Sequence, residues 1–117
     1  MKKEKFIIEN IHDIIIWIDV NIDLGINSND VVKFSGYSRS YFLSEFYKLK
    51  NISLSCYIKN ARFKLASEML ISTTLNINDI SKKLGYSSQS SFCQIFKKYY
   101  AMSPTDYRYK MLLSRQF

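Results

Sequence analysis

Two short polar clusters carry most of the chemistry that this chain can offer. Gln89, Ser90, Ser91 and Gln94 follow a Gly85-Tyr86 pair, and Arg39, Ser40, Leu43 and Ser44 follow a Gly36-Tyr37 pair. Side chains three and four residues apart share one face of a helix. Amides, hydroxyls and a guanidinium on such a face suit hydrogen bonding to base edges. Glutamine spans the N6 and N7 of adenine, arginine spans the O6 and N7 of guanine, and a leucine can touch a thymine methyl. Lysines follow each cluster, Lys48 and Lys50 in one case, Lys97 and Lys98 in the other. With Ser38 and Ser88 at the expected helix starts, they are candidates for phosphate contact, which positions a protein without specifying sequence. Plainer uses exist for all of them: a serine or glutamine can cap a helix, and a lysine can simply be solvated.

The residue types that catalysis needs are scattered. His12 is the only histidine, and it falls in an isoleucine-rich stretch far along the chain from Cys56 and Cys93. Nucleophilic catalysis needs an activating base beside its nucleophile. No glycine loop of the phosphate-cradling kind is present, and the two cysteines lack the spacing of metal ligands. They are expected to be reduced, half-buried thiols. The chain therefore reads as no enzyme, with no catalytic residue, no metal and no cofactor.

The elements that must position the polar clusters show themselves as an internal repeat. Residues 27–38 match residues 76–87 at a constant offset of 49, and seven of the twelve positions are identical. An aromatic pair at helix spacing follows each copy, Phe42/Phe46 and Phe92/Phe96, at an offset of 50. Each copy reads as helix, tight turn, helix. Asn27 and Asn76 can cap the first helix, with Asp30 and Asp79 in its first turn, where the helix dipole favours an acid. Val31 and Ile80 face inward. Gly36 and Gly85 can leave the helix with positive φ. Ser38 and Ser88 can cap the second helix, whose phenylalanines bury one face and leave the other polar. This is a helix-turn-helix pattern, and its second helix can lie in a major groove.

A long helical pattern joins the copies. Leu54, Ile58, Ala61, Leu65 and Met69 form its stripe, with Ala66 and Leu70 beside it and Ser53 as cap. Residues 54–71 would make a rod of about 27 Å, a suitable spacer for grooves about 34 Å apart. Ahead of the first copy, Ile11, Ile14, Ile15, Ile18 and Ile22 predict a helix over 11–23, with Asn10 as cap, Asp13 completing a capping box and Trp17 in the core. Ser103-Pro104-Thr105-Asp106 starts a last short helix. The expected fold is all-α, with about seven helices and two helix-turn-helix subdomains joined by a long linking helix. The expected divisions are an N-terminal arm at 1–8, subdomains at 9–52 and 73–112, the linking helix at 53–72 and a fraying tail at 113–117.

Composition agrees with this. The chain has 117 residues, enough for one compact unit or two very small ones. Its 47% apolar content argues against disorder, and three glycines and one proline are too few for a turn-rich β fold. The longest apolar run, Ile14–Ile18, is too short to span a bilayer, and no small-residue cleavage site marks a signal peptide. The net charge is +7, unevenly placed: residues 1–30 hold three lysines against six carboxylates, and residues 31–117 hold fourteen bases against four. A polyanionic partner explains that asymmetry.

The run Gly85-Tyr86-Ser87-Ser88-Gln89-Ser90-Ser91-Phe92, then Phe96-Lys97-Lys98, Ser103-Pro104 and Tyr107-Arg108, resembles the signature of the AraC/XylS family of bacterial transcription regulators. Ser35-Gly36-Tyr37-Ser38 with Phe42 and Phe46 agrees in the first copy, as do Tyr57-Ile58, Arg62, Ala66 and Leu70 between the copies. The resemblance covers roughly residues 9–111 and is to the family's DNA-binding domain. The chain's length leaves no room for a small-molecule effector domain, and with Trp17-Ile18-Asp19 it looks like the stand-alone MarA/SoxS/Rob group. That resemblance implies a monomeric, cytoplasmic, nucleoid-associated activator. Such a protein binds double-stranded DNA through two adjacent major grooves and recruits RNA polymerase to stress or antibiotic-resistance genes. Where the group presents Trp, Gln and Arg on its first recognition helix, this chain has Ser40, Leu43 and Ser44. On the second, Gln89 agrees, while Ser90, Ser91 and Gln94 replace Gln, Thr and Arg. An alternative function remains: a protein-interaction or non-specific nucleic-acid-binding module that titrates another regulator.

Overall fold

The computed structural model describes residues 2–114, with side chains from Lys5 onward. Among these residues there are seven α-helices and no strand: α1 (Lys2–Asn21), α2 (Ser28–Ser35), α3 (Arg39–Lys50), α4 (Leu54–Ser72), α5 (Ile77–Lys83), α6 (Gln89–Tyr100) and α7 (Pro104–Ser114). A single 3-10 turn, Ile22–Leu24, follows α1. None of the described helices is long and apolar enough to cross a membrane.

Two compact units emerge. Among the described residues, the first comprises those up to Ile22 with Ile26–Ala61, and the second takes Asp23–Gly25 with those from Arg62 onward. The first core is built by Ile7, Ile11, Ile14, Ile18 and Ile22 of the N-terminal stretch against Val31, Phe42, Phe46, Leu54 and Ile58. The second is Phe63, Ala66 and Leu70 with Ile80, Leu84, Phe92 and Phe96, all fully buried. Each buried phenylalanine contributes about 1.5–3 kcal/mol of hydrophobic stabilisation.

Of the expected arm at 1–8, residues 2–8 are helical: α1 begins at Lys2. The reason is Ile7, which is 2% exposed and extends the inward stripe by one turn beyond Ile11. Asn10 therefore lies inside the helix and caps nothing; its Nδ2 donates to Tyr37 Oη at 2.6 Å. Trp17 is not core. It is half-buried and stacks on exposed Phe34, with ring centroids 4.2 Å apart and an interplanar angle of 8°. Ile15 is likewise only half-buried. On α4 the buried positions change face between Ile58 and Phe63, so Ala61, Leu65 and Met69 are half-buried and Phe63 takes the central place. Cys56 is exposed rather than half-buried. Leu113 and Ser114 still belong to α7; the rest of the expected tail, 115–117, lies outside the described residues.

The repeat runs further than the matched twelve residues. α3 and α6 are both 12 residues long, and each ends on a left-handed residue, Asn51 (φ 58°) and Ala101 (φ 63°). Two residues on, Ser53 and Ser103 open α4 and α7 alike: their hydroxyls accept from Cys56 N (3.2 Å) and Asp106 N (3.1 Å). Each repeat is thus three helix starts, not two.

Candidate nucleic-acid interface

In the first unit, a true capping box starts α2: Asn27 Oδ1 accepts from Asp30 N (3.0 Å), and Asp30 Oδ2 accepts from Asn27 N (2.9 Å). Gly36 closes it in left-handed conformation (φ 76°). Ser38 holds the N-cap position of α3 in extended backbone but makes no side-chain capping bond. Ser35 organises the turn in its stead. Its Oγ donates to Val32 O (2.6 Å) and accepts from Tyr37 N (3.1 Å). Phe42 and Phe46 then anchor the inner face of α3.

The outer face of α3 carries the expected cluster. Arg39, Ser40 and Ser44 are exposed, and Leu43 is half-buried. Arg39 is tied down: its Nη1 donates to Asn29 Oδ1 on α2. Lys48 and Lys50 are exposed in the last turn, and Lys48 Nζ lies 3.5 Å from Glu45 Oε1. Such a surface pair is worth little. Asn29 and Tyr47 stand outside the expected cluster. Tyr47 is 55% exposed and follows Ser40 and Ser44 at helix spacing. Its counterpart fifty residues on is Lys97, which was the available signal.

In the second unit, Asn76 Oδ1 accepts from Asp79 N (2.8 Å) to start α5. Gly85 leaves with φ 84°. It lies so close to Gly25 that an added Cβ would stand 2.7 Å from the Gly25 Cα. Ser88 does cap α6, its Oγ accepting from Ser91 N (3.0 Å), which leaves the hydroxyl hydrogen as a donor. Gln89, Ser90 and Gln94 are exposed, and Ser91 is half-buried. Ser90, Gln94 and Lys97 form one strip at helix spacing, with Lys98 exposed beside them. Both lysines also suit the negative end of the helix dipole. Cys93 lies half-buried beside the core, and burial pushes its thiol up, which disfavours the thiolate.

Tyrosines seal both units. Tyr57 Oη donates to Asp19 Oδ1 (3.1 Å); burial first, then the neighbouring carboxylate, pushes its phenol up to about 12. Tyr86 packs on Phe92, and burial raises it while the charge of Arg62 pulls it down. Tyr100 Oη donates to Phe63 O (3.1 Å), and Arg108 Nε donates to Leu70 O (2.8 Å), fixing α6 and α7 to α4 within the second unit.

Each unit therefore presents one helix with a buried aromatic seam, an exposed face of short polar groups and lysines at its end. That is the chemistry of groove entry with phosphate contacts alongside. The two polar clusters stand on separate units.

Comparison with known proteins agrees. Residues 31–110 match the family described as a helix-turn-helix domain. The chain is 39% identical over 101 residues to the regulatory protein SoxS of Escherichia coli strain K12, a match covering 86% of this chain and 94% of SoxS. It is 34% identical over 98 residues to the HTH-type transcriptional activator AarP of Providencia stuartii, covering 84% and 73%. Among solved structures, it is similar to the C-terminal domain of AraT, a response regulator from Geobacillus stearothermophilus. There the TM-score is 0.79 with 26% identity, over 86% of this chain and 84% of that one.

Proposed function

The chain belongs to the AraC-type helix-turn-helix family, and from that premise we propose that it is a sequence-specific, DNA-binding transcriptional activator. It acts as a monomer in the cytoplasm, lays α3 and α6 in two adjacent major grooves and recruits RNA polymerase. Its genes are those of stress or antibiotic resistance, in keeping with its likeness to SoxS and AarP. It has no enzymatic role. The observation that carries this reading is the duplication itself: two capped helices, each followed across a left-handed glycine by a 12-residue helix with an exposed polar face.

The residues in play divide by reach. Gln89, Ser90, Ser91 and Gln94 on α6, with Ser40, Leu43 and Ser44 on α3, meet base edges. Ser38, Lys48, Lys50, Ser88, Lys97 and Lys98 meet phosphates. The acidic carboxylates of α1 (Glu9, Asp13, Asp19) are exposed or sit on an exposed face, and repulsion keeps them away from the DNA backbone.

The test is a competition at physiological salt between duplexes selected from promoter DNA and random duplex. A preference of about a hundredfold or more is expected. Equal affinity would instead favour a non-specific binding module that titrates another regulator, a reading for which the short side chains of Ser40 and Ser44 would then be the explanation.

A further inference from the structure

Resting on the regulator reading, we propose that the two recognition helices divide their work: α6 discriminates bases, while α3 is a sequence-tolerant backbone clamp whose Arg39 is held toward a phosphate by Asn29. Arg39 is the one long hydrogen-bonding side chain in the base-facing cluster of α3, and its guanidinium is bonded to the side chain of Asn29 in the first turn of α2. In a helix-turn-helix, the helix before the recognition helix crosses the DNA backbone, and only the recognition helix enters the groove. A guanidinium tied to α2 therefore stays on the backbone side. Arginine has five N–H donors; the ones Asn29 does not engage match phosphate oxygens in the charge-assisted geometry. Arg39 moves accordingly from a base contact to a phosphate contact.

What remains on α3 reads bases poorly. Ser40 and Ser44 carry one short hydroxyl each, which pairs with several bases, and Leu43 is half-buried. Exposed Tyr47 adds a hydroxyl suited to phosphate. The second repeat keeps the asparagine as Asn78 but has neutral Gln89 in the place of Arg39. Gln89 and Gln94 are exposed amides, each with a donor and an acceptor on one planar group, the arrangement that pairs doubly with adenine. Specificity is therefore concentrated in one unit and anchoring in the other.

The experiment is selection of bound duplexes from a random pool by the full chain, followed by affinity measurements on selected and random duplex. A single conserved block is expected within a longer protected site, and Gln89→Ala should relax the preference within that block. Arg39→Ala should weaken selected and random duplex by the same factor, about tenfold, and flatten the salt slope by about one. Asn29→Ala should weaken both evenly, and the double variant should bind as Arg39→Ala does, because Asn29 acts only through Arg39. Two conserved blocks, one of them altered by Arg39→Ala, would overturn the division of work while leaving the regulator reading intact. Additive losses in the double variant would overturn the role of Asn29. A pool with no enriched sequence would overturn the regulator reading itself.

Discussion

Side chains on the same exposed strip have different reach and charge, and that difference decides what each can do. Gln94 and Lys97 lie three residues apart on α6, yet only the amide can distinguish one base from another. Replacing Gln89 or Gln94 with alanine should relax preference among operator variants. Lys97→Ala should weaken every duplex alike and lower the salt slope by about one. Identical behaviour of the two kinds of variant, in titrations at several salt concentrations, would contradict this separation. Tyr57 supplies a residue-scale test of the first core. Its folded phenol titrates near 12 against an ordinary 10.0, because burial and Asp19 disfavour the phenolate. A raised folded pKa means a contribution that is full below pH 10 and lost as pH climbs toward 12. Chemical denaturation of wild type and Tyr57→Phe should show a constant stability difference below pH 10 that falls between pH 10 and about 12. A difference independent of pH would contradict it. The polar clusters were legible in the sequence as residue types at helix spacing. The bond from Arg39 to Asn29 was not, because two side chains ten positions apart meet only once the turn is built. Trp17 shows the same limit: its place beside an isoleucine stripe says nothing of Phe34, the exposed ring it stacks on.

Elements here begin and end by local chemistry, and the repeat offers its own controls. Ser88 caps α6 with a hydrogen bond and Ser38 makes none at α3. Ser88→Ala should cost about 1 kcal/mol, and Ser38→Ala only a few tenths; equal losses in thermal melts would contradict the difference. Gly36 and Gly85 both require positive φ, but nothing lies within 4 Å of a Cβ built on Gly36, whereas one on Gly85 would strike the Gly25 backbone. Gly36→Ala should cost about 1–2 kcal/mol for the left-handed backbone alone, and Gly85→Ala clearly more. Equal costs would show that the backbone approach carries no energy. The repeated elements were readable because seven identical residues recur at one offset. The start of α1 was not, although Ile7 continues the stripe, because the lysines and glutamate around it hide one apolar position. Phe63 is hidden in the sequence because α4 contributes to two cores in turn, and one periodic stripe through Leu54, Ala61 and Leu65 cannot follow a buried face that changes partway.

At the scale of the whole chain, charge and duplication describe one device. Fourteen of the seventeen bases lie beyond residue 30, with the repeats, and each repeat ends its recognition helix with lysines. The fold class followed from that duplication, since a capped helix, a left-handed glycine and a second helix leave little freedom to the local chain. Apart from Gln89, the polar side chains on α3 and α6 differ from those of the group the sequence resembles, so a different DNA site is expected. The most direct test of the central claim is a chemical footprint on a duplex selected by the protein. Two protected major-groove segments on one face of the DNA are expected, about 34 Å apart. Uniform protection along the duplex, or a single protected segment, would contradict a regulator that engages DNA through both helix-turn-helix units.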